Sequence, residues 1–336
     1  MAINRALLIA SYGRHYLAQK LHQSANGYQA PSGPLIEVTI PGKRHLGAVG
    51  DILQLENSST HQARLVKIEP RRNLLYRSDA FKSKLIAANV DQILVVLATQ
   101  PAFSPDLLGR AVVAAEANQI GLHILLNKSD LTDSIDTARK LIEPYARMGY
   151  PVSEVSAKFD AHSLERLHGA LKGKVSVLVG QSGMGKSSLL NGWVPNAAAV
   201  TQEYSVRLDT GKHTTTACRY FELPKTWGVA DGKLGALIDS PGFQEFGLAH
   251  LSVSELQHAF REFKDYLGRC RFHNCAHETE PGCMIRQAVT EQIIAPERLA
   301  LFRQLRSDSQ TADSQIMGIA TTRQRWSTLP TKSSGQ

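Results

Sequence analysis

The sequence predicts a multidomain chain: a small N-terminal β-barrel, a central α/β phosphate-loop domain and a C-terminal helical domain built around a metal. Three observations predict it. Short strand-like runs broken by Gly, Pro, Ser and Asn fill residues 1–82. From residue 90 buried-strand runs alternate with helical runs, and one turn between them reads GQSGMGKSS, residues 180–188. Of the 4 cysteines, all but Cys218 fall in one short stretch, Cys270, Cys275 and Cys283.

Composition sets bounds. A chain of 336 residues has room for two or three domains, and 43% hydrophobic with 20% charged residues suits an ordinary globular protein. No apolar run approaches the roughly 18 residues of a membrane span. The N-terminal MAINRALLIASYGRHY has too short an apolar patch for a secretory leader, so a cytoplasmic protein without membrane attachment is expected. The net charge of +8 favours nucleic acid or another polyanion as partner, although a mildly basic enzyme carries the same charge.

In the first region, RALLIASYGRHYLAQ, PLIEVTI, DILQLEN and ARLVKIEP read as strands, and an OB-like barrel fits their number and length. RRNLLYRSDAFKSK, with five basic residues, links this region to the next. There, VDQILVVLA, LHILLN, PVSEVSA and VSVLV are buried strands. Between them lie SPDLLGRAVVAAEANQIG, with Ser104 as N-cap, Pro105 as first helical residue and Gly121 just past the end, then TDSIDTARKLIEPYARMG, with a kink expected at Pro144, and HSLERLHGAL. This alternation predicts a doubly wound parallel sheet that ACRYFEL and LGALID complete. SVSE, at 252–255, is a capping box opening a helix, and APERLALFRQLR is a later helix. The Ser-, Thr-, Gln- and Arg-rich end is expected to be flexible. The boundaries that follow are 1–82, 83–258, 259–310 and a tail, 311–336.

The run Gly180, Gln181, Ser182, Gly183, Met184, Gly185, Lys186, Ser187, Ser188 matches G-x-x-x-x-G-K-S between a strand and a helix. The glycines let backbone N–H groups turn onto phosphates, Lys186 meets the β- and γ-phosphates, Ser187 offers its hydroxyl to magnesium, and the helix start favours the anion. The base is chosen elsewhere. Asn127, Lys128, Ser129 and Asp130 end a buried strand, where ligand loops of open sheets emerge. Asp130 can accept both N1–H and N2–H of guanine, a pair that adenine lacks. Asn127 can hold the base edge and nearby loops, and Lys128 can lay its stem on the ring. Ser156, Ala157 and Lys158 follow the next strand, where GTPases aim a backbone N–H at guanine O6. DSPG, 239–242, places Asp239 to hold magnesium through water and the Gly242 N–H to sense the γ-phosphate. One threonine of HTTTA, 213–217, reaches magnesium and γ-phosphate, and Thr215 is favoured. Ordinary GTPases run from phosphate loop to base loops. Here the base loops come first, so the fold class is a circularly permuted α/β P-loop GTPase, a rearrangement that neighbouring termini make cheap.

CRFHNCAHETEPGC, 270–283, offers Cys270, Cys275, His277 and Cys283 as a closed zinc set, with His273 as a competing imidazole. A closed set leaves no position for a water nucleophile, so this zinc is expected to be structural.

Together these features resemble the small ribosomal subunit biogenesis GTPase family RsgA, also called YjeQ. The resemblance rests on GRHYLA, NKSD, GQSGMGKSSLLN, GKHTTT, DSPGFQEFGLAHL and the cysteine-histidine cluster, and covers nearly the whole chain. It implies an OB-fold RNA-binding domain, a permuted GTPase domain and a zinc-binding helical domain. It further implies a monomeric GTPase that binds GTP and GDP, contacts 16S rRNA on the 30S subunit and is stimulated by that subunit during late maturation. Phe243 stands where many GTPases carry a water-orienting Gln. Beside Lys186 and Thr215, the resemblance therefore offers His250, in GLAHL, as the catalytic group, although Ala249 precedes it where the family often has Trp. An RNA-binding assembly module with a mainly structural, slowly hydrolysing GTP site is the alternative, and NKSD argues against an ATPase.

Overall fold

The computed structural model describes residues 3–12, 15–23, 29–40, 47–78, 83–198, 200–202, 218–230, 232–240 and 248–326. Thr215, Gly242 and Phe243 lie outside these residues. The chain divides into two compact units, Met1–Arg77 with Ser83–Phe246, and Ser78–Lys82 with Gly247–Gln336.

The barrel is built from β1 (Ile3–Tyr12), β2 (His15–Gln23), β3 (Gln29–Thr39), β4 (Ile52–Asn57) and β5 (Gln62–Ile68). Its ladders run β1–β2–β3–β5–β4, and β4 returns to β1 to close the ring. Inward positions alternate along each strand: Ala6 and Leu8, Leu53 and Leu55, Ala63 and Leu65 share one buried core with Ile36 and Val38. The run RALLIASYGRHYLAQ, expected as one strand, is two antiparallel strands, with Tyr12 opposite His15. The sequence places Gly13 at the division.

The linking segment carries β6 (Leu74–Ser78) and β7 (Ser83–Ala88), which pair as a two-stranded sheet. Polar side chains tie its ends to the next domain. Asn73 Nδ2 donates to Val90 O at 2.8 Å, and Arg72 pairs with Asp91 at 2.8 Å.

The second sheet holds β8 (Gln92–Ala98), β9 (Gly121–Asn127), β10 (Val152–Glu154), β11 (Val175–Val179), β12 (Cys218–Glu222) and β13 (Ala236–Asp239), in the order β10–β9–β8–β11–β13–β12. The first five of that order are parallel; β12 is antiparallel to β13, a departure from the all-parallel expectation. β12 also pairs with β1 of the barrel, so the two sheets are continuous. β8 is buried at every position, as its apolar run from Ile93 to Ala98 requires.

Helices α1 (Pro105–Ala117), α2 (Thr132–Arg147), α3 (Ala161–Glu165), α4 (His168–Leu171) and α5 (Lys186–Trp193) connect these strands. Ser104 caps α1, accepting from Leu107 N, with Pro105 in the first turn as the sequence predicts. The C-cap is Asn118, and Gly121 opens β9 instead. α2 runs on through Pro144 to Arg147. HSLERLHGAL, expected as one helix, breaks into α3 and α4 where the Trp193 indole donates to Leu164 O at 3.3 Å.

In the second unit, α6 (Val253–Ala259) opens with the full Ser252–Glu255 capping box, followed by α7 (Met284–Thr290) and α8 (Pro296–Trp326). The core is aromatic: Phe260, Phe263 and Phe302 are fully buried and touch in pairs, with centroids 4.9 to 5.5 Å apart. The expected flexible tail begins at 311, yet α8 continues to Trp326. Residues 311–326 contain no proline, and Ala, Gln, Met and Arg among them favour continued helix. Among the described residues no helix is long and apolar enough to cross a membrane.

Candidate functional site

The strand order reverses direction between β8 and β11. From β8 the chain winds outward to β9 and β10, then returns to lay β11 on β8's other side. Loops leaving the carboxyl ends of β8 and β11 therefore diverge and leave a crevice, where open sheets bind ligands. The glycine-rich loop after β11 sits there, beside residues 99–104 after β8.

Sterics explain the glycines. Gly180 passes the β8 backbone so closely that a Cβ would lie 2.4 Å from Val96 O. Gly185 has φ +93°, and a Cβ there would lie 2.1 Å from Asn127 Nδ2. That Asn127 amide is the link between motifs. Asn127 is 2% exposed, donates to Met184 O at 2.9 Å and accepts from Ala157 N at 3.1 Å. One side chain thus joins the phosphate loop to both base loops, bridging stretches 57 and 30 residues away. The Ala157 N–H, expected at guanine O6, is bonded to Asn127 here.

Ser156 steadies Asp130, its hydroxyl donating to Asp130 Oδ1 at 2.5 Å. Ser129 N donates to Val155 O at 3.1 Å, closing the two base loops on each other. Lys128 takes a positive φ of 60° and donates from Nζ to Gln100 O at 2.6 Å, so its stem lies across the loop after β8. Asp130 and Lys158 are exposed.

Lys186, the first residue of α5, folds onto its own loop, donating to Gly180 O at 2.7 Å and Gln181 O at 2.9 Å. Burial lowers its pKa, and the nearby Asp239 carboxylate opposes that shift. Asp239 ends β13. Burial raises its pKa, countered by Lys186 and Arg219. Arg219 stands opposite Asp239 in the β12–β13 ladder. Ser187 is exposed, while Ser182, Gly183 and Ser188 complete the loop and first turn. His250 belongs to the second unit; it is half-buried, and burial lowers its pKa against the pull of Glu255.

Sequence reasoning missed several supports. Gln181 Oε1 accepts from Ser104 N at 2.9 Å, tying the phosphate loop to the start of α1. Ser163 Oγ accepts from Ser156 N at 3.1 Å, and Ser240 Oγ donates to Leu178 O at 2.6 Å. No local pattern announces these residues, because their partners lie on other elements.

In the second unit, the ligand atoms of Cys270, Cys275, His277 and Cys283 lie within 4.8 Å of one another. The competing His273 is exposed and outside the set. The Cys270 and Cys283 sulfurs are 4.0 Å apart, and His277 Nδ1 stands 3.7 Å and 3.4 Å from them. A tetrahedral ion with metal–sulfur and metal–nitrogen bonds of about 2.3 and 2.0 Å would separate sulfurs by about 3.8 Å and sulfur from nitrogen by about 3.5 Å. The residues fit one metal ion. His277 holds φ 61°, fixed by Arg303, which donates to His277 O and Glu278 O. Its Nε2 lies 3.1 Å from the Gln257 amide. With Nδ1 on a metal, Nε2 keeps its proton and the amide oxygen turns to accept it. The backbone N–H of Glu280 itself, with those of Ala276, Glu278 and Thr279, pulls the Glu280 pKa to about 2.

A phosphate loop at the switch point and a guanine-type base loop placed ahead of it in the chain define a circularly permuted P-loop GTPase. The profile of the RsgA GTPase family matches residues 68–249. The small ribosomal subunit biogenesis GTPase RsgA of Paraburkholderia phytofirmans is 51% identical over 302 residues, 89% of this chain and 91% of that protein. The same-named protein of Ralstonia nicotianae is 50% identical, covering 90% and 92%. Among solved structures, YjeQ from Thermotoga maritima matches with a TM-score of 0.64 and 27% identity, covering 92% of this chain and 99% of that one. YloQ, described as a circularly permuted GTPase, matches with a TM-score of 0.63, 25% identity and coverage of 92% and 96%. The chain belongs to the RsgA GTPase family and is a GTP hydrolase.

Proposed function

We propose that this GTPase acts in the cytoplasm on the 30S ribosomal subunit late in small-subunit maturation, and that 30S binding stimulates its hydrolysis of GTP. The observation that carries the nucleotide half of this reading is the Asn127 bridge between Met184 O and Ala157 N. The ribosomal half rests on the relatives named small ribosomal subunit biogenesis GTPase, about half identical along nine-tenths of the chain.

GTP is held by residues 127–130, 156–158 and 180–188 together with Asp239 and Gly242. Asp130, steadied by Ser156, accepts the two guanine N–H groups. Lys128 covers the ring, and Asn127 holds the loops in register. Lys186 leaves the carbonyls of Gly180 and Gln181 for the β- and γ-phosphates, a charge-for-dipole exchange that favours the nucleotide. Magnesium, bound with GTP, neutralises developing phosphate charge. Ser187, Thr215 and Asp239 are its positions on this chain. His250 orients or deprotonates the attacking water, the place that Phe243 cannot fill. Cys270, Cys275, His277 and Cys283 hold one structural zinc. The barrel (1–82) and the zinc domain (259–310), before and after the GTPase domain (83–258) in the chain, supply the 16S rRNA contacts of a monomeric factor, with 311–336 as a tail.

The test is GTP hydrolysis by the purified, zinc-loaded chain with and without 30S subunits, with 50S subunits and ATP as controls. Stimulation by 30S alone, with ATP inert, supports the proposal. A slow rate indifferent to 30S would replace it with an RNA-binding module whose GTP site is mainly structural.

A further inference from the structure

The barrel meets the GTPase sheet at two paired positions, Ala10 opposite Arg219 and Ser11 opposite Cys218. Beyond them the strands part, because β1 pairs with β4 from Ile3 to Leu7. A cavity of about 470 Å³ lies in the wedge between them. That volume falls in the range of about 300–1,000 Å³ typical of small-molecule sites.

Its apolar walls come from separate elements: Leu7 of β1, Ile52 of β4, Val175 at the start of β11, and Leu234 before β13. Tyr220 of β12 also lines it and is only 8% exposed. Among the described residues nothing is hydrogen-bonded to the Tyr220 hydroxyl, which leaves it available to a group in the cavity. Burial, with the Glu222 and Asp91 carboxylates, raises its pKa, so the hydroxyl keeps its proton and is a donor.

Two cations complete the lining. Arg72 uses one terminal nitrogen for Asn89 O and Asp91 Oδ1, each at 2.8 Å. Lys233 is exposed and has no ion pair among the described residues. Asp91 is already engaged by Arg72 and by Val175 N, at 2.8 Å each, so it does not cancel the second cation.

We propose that this cavity binds a small amphipathic anion. Its apolar body lies against Leu7, Ile52, Val175 and Leu234, an acceptor atom meets the Tyr220 hydroxyl, and its carboxylate or phosphate meets Lys233 and Arg72. The site is distinct from the nucleotide crevice. Val175 opens β11, and the glycine-rich loop leaves the strand's other end, about 16 Å away at about 3.3 Å per residue. A bound ligand touches β1 and β12 together, so its occupancy reports on how the barrel strand seats against the sheet.

The experiment titrates 8-anilinonaphthalene-1-sulfonate into the full chain with GDP bound, followed by fluorescence. The expected result is saturable binding of one probe per chain, displaced by octanoate if the natural group is a carboxylate or by phenyl phosphate if it is a phosphate. Lys233→Glu, an exposed substitution, should raise the dissociation constant about tenfold. Val175→Phe, which fills the cavity, should abolish binding, and both variants should keep wild-type GTP affinity. Non-saturating fluorescence, displacement by neither competitor, or a titration unchanged in Lys233→Glu would overturn the proposal.

Discussion

Asn127 donates to the carbonyl of Met184 at 2.9 Å, joining a base loop to a phosphate loop that follows it 57 residues later. The two loops lie on different strands of the sheet, and this buried amide bonds one directly to the other.

Asn127→Ala should therefore act on both binding and stability. It strands the buried Met184 carbonyl, at about 1–3 kcal/mol for a buried group left unpaired, and the part-buried Ala157 N–H. We expect GTP affinity to fall at least tenfold in a fluorescent-nucleotide titration, with a lower melting temperature even without nucleotide. Loss of affinity with unchanged melting would confine Asn127 to base contact.

Asp130→Asn should spare the fold, because Asp130 is exposed and its one described partner, Ser156, can donate to an amide oxygen equally well. Guanine affinity should drop about a hundredfold or more, as an amide N–H₂ faces the guanine donors. Xanthine offers a carbonyl at that edge, so XTP should bind the variant better than GTP. Competition between the two nucleotides checks it.

Gly185→Ala should abolish nucleotide binding. The new Cβ would lie 2.1 Å from Asn127 Nδ2 at a φ of +93°, so the loop must shift away from the bridge. Isothermal titration with GTP reads the loss, and a retained affinity within a few-fold would contradict the steric account.

Burial holds the His250 pKa below its ordinary 6.5. The neutral, base-competent form then predominates at and above neutrality. Hydrolysis should be flat above about pH 7 and fall on acidification through an inflection lying below 6.5. His250→Ala should lower the plateau by about a hundredfold and remove that inflection. An inflection that persists in the variant assigns the proton elsewhere.

Removing the metal should unfold the second unit locally. Cys283 both belongs to the ligand set and caps α7, accepting from Arg286 N at 3.5 Å. Cys283→Ser should drop metal content from one per chain to well below it and release helical signal in circular dichroism. Full metal retention would leave the site to other donors.

What the sequence made legible was local. The strand–loop–helix around the glycine-rich run, the capping box at Ser252 and the clustering of the three cysteines with His277 are each set within a few residues. The unbroken apolar run of β8 and the alternation within β4 and β5 state the two sheet types. The rest depends on partners far along the chain. HSLERLHGAL looks like one helix until Trp193 takes the Leu164 carbonyl. Ser104 reads as a cap for α1, and its second tie, to Gln181, spans 77 residues. β12 reads as another strand, but its antiparallel direction and its barrel neighbour follow from pairing alone.

The strand order has a further consequence at birth. β8 leaves the ribosome long before β11, its sheet neighbour, and the two are tied by Gln92 and Ser176 across 84 residues. Through that interval one long edge of β8 stays open, a buried-type strand that is apolar from Ile93 to Ala98. A vectorially made chain of this order must shield that edge until its central strand arrives, so nascent folding here is a matter of waiting for the middle rather than extending from an end.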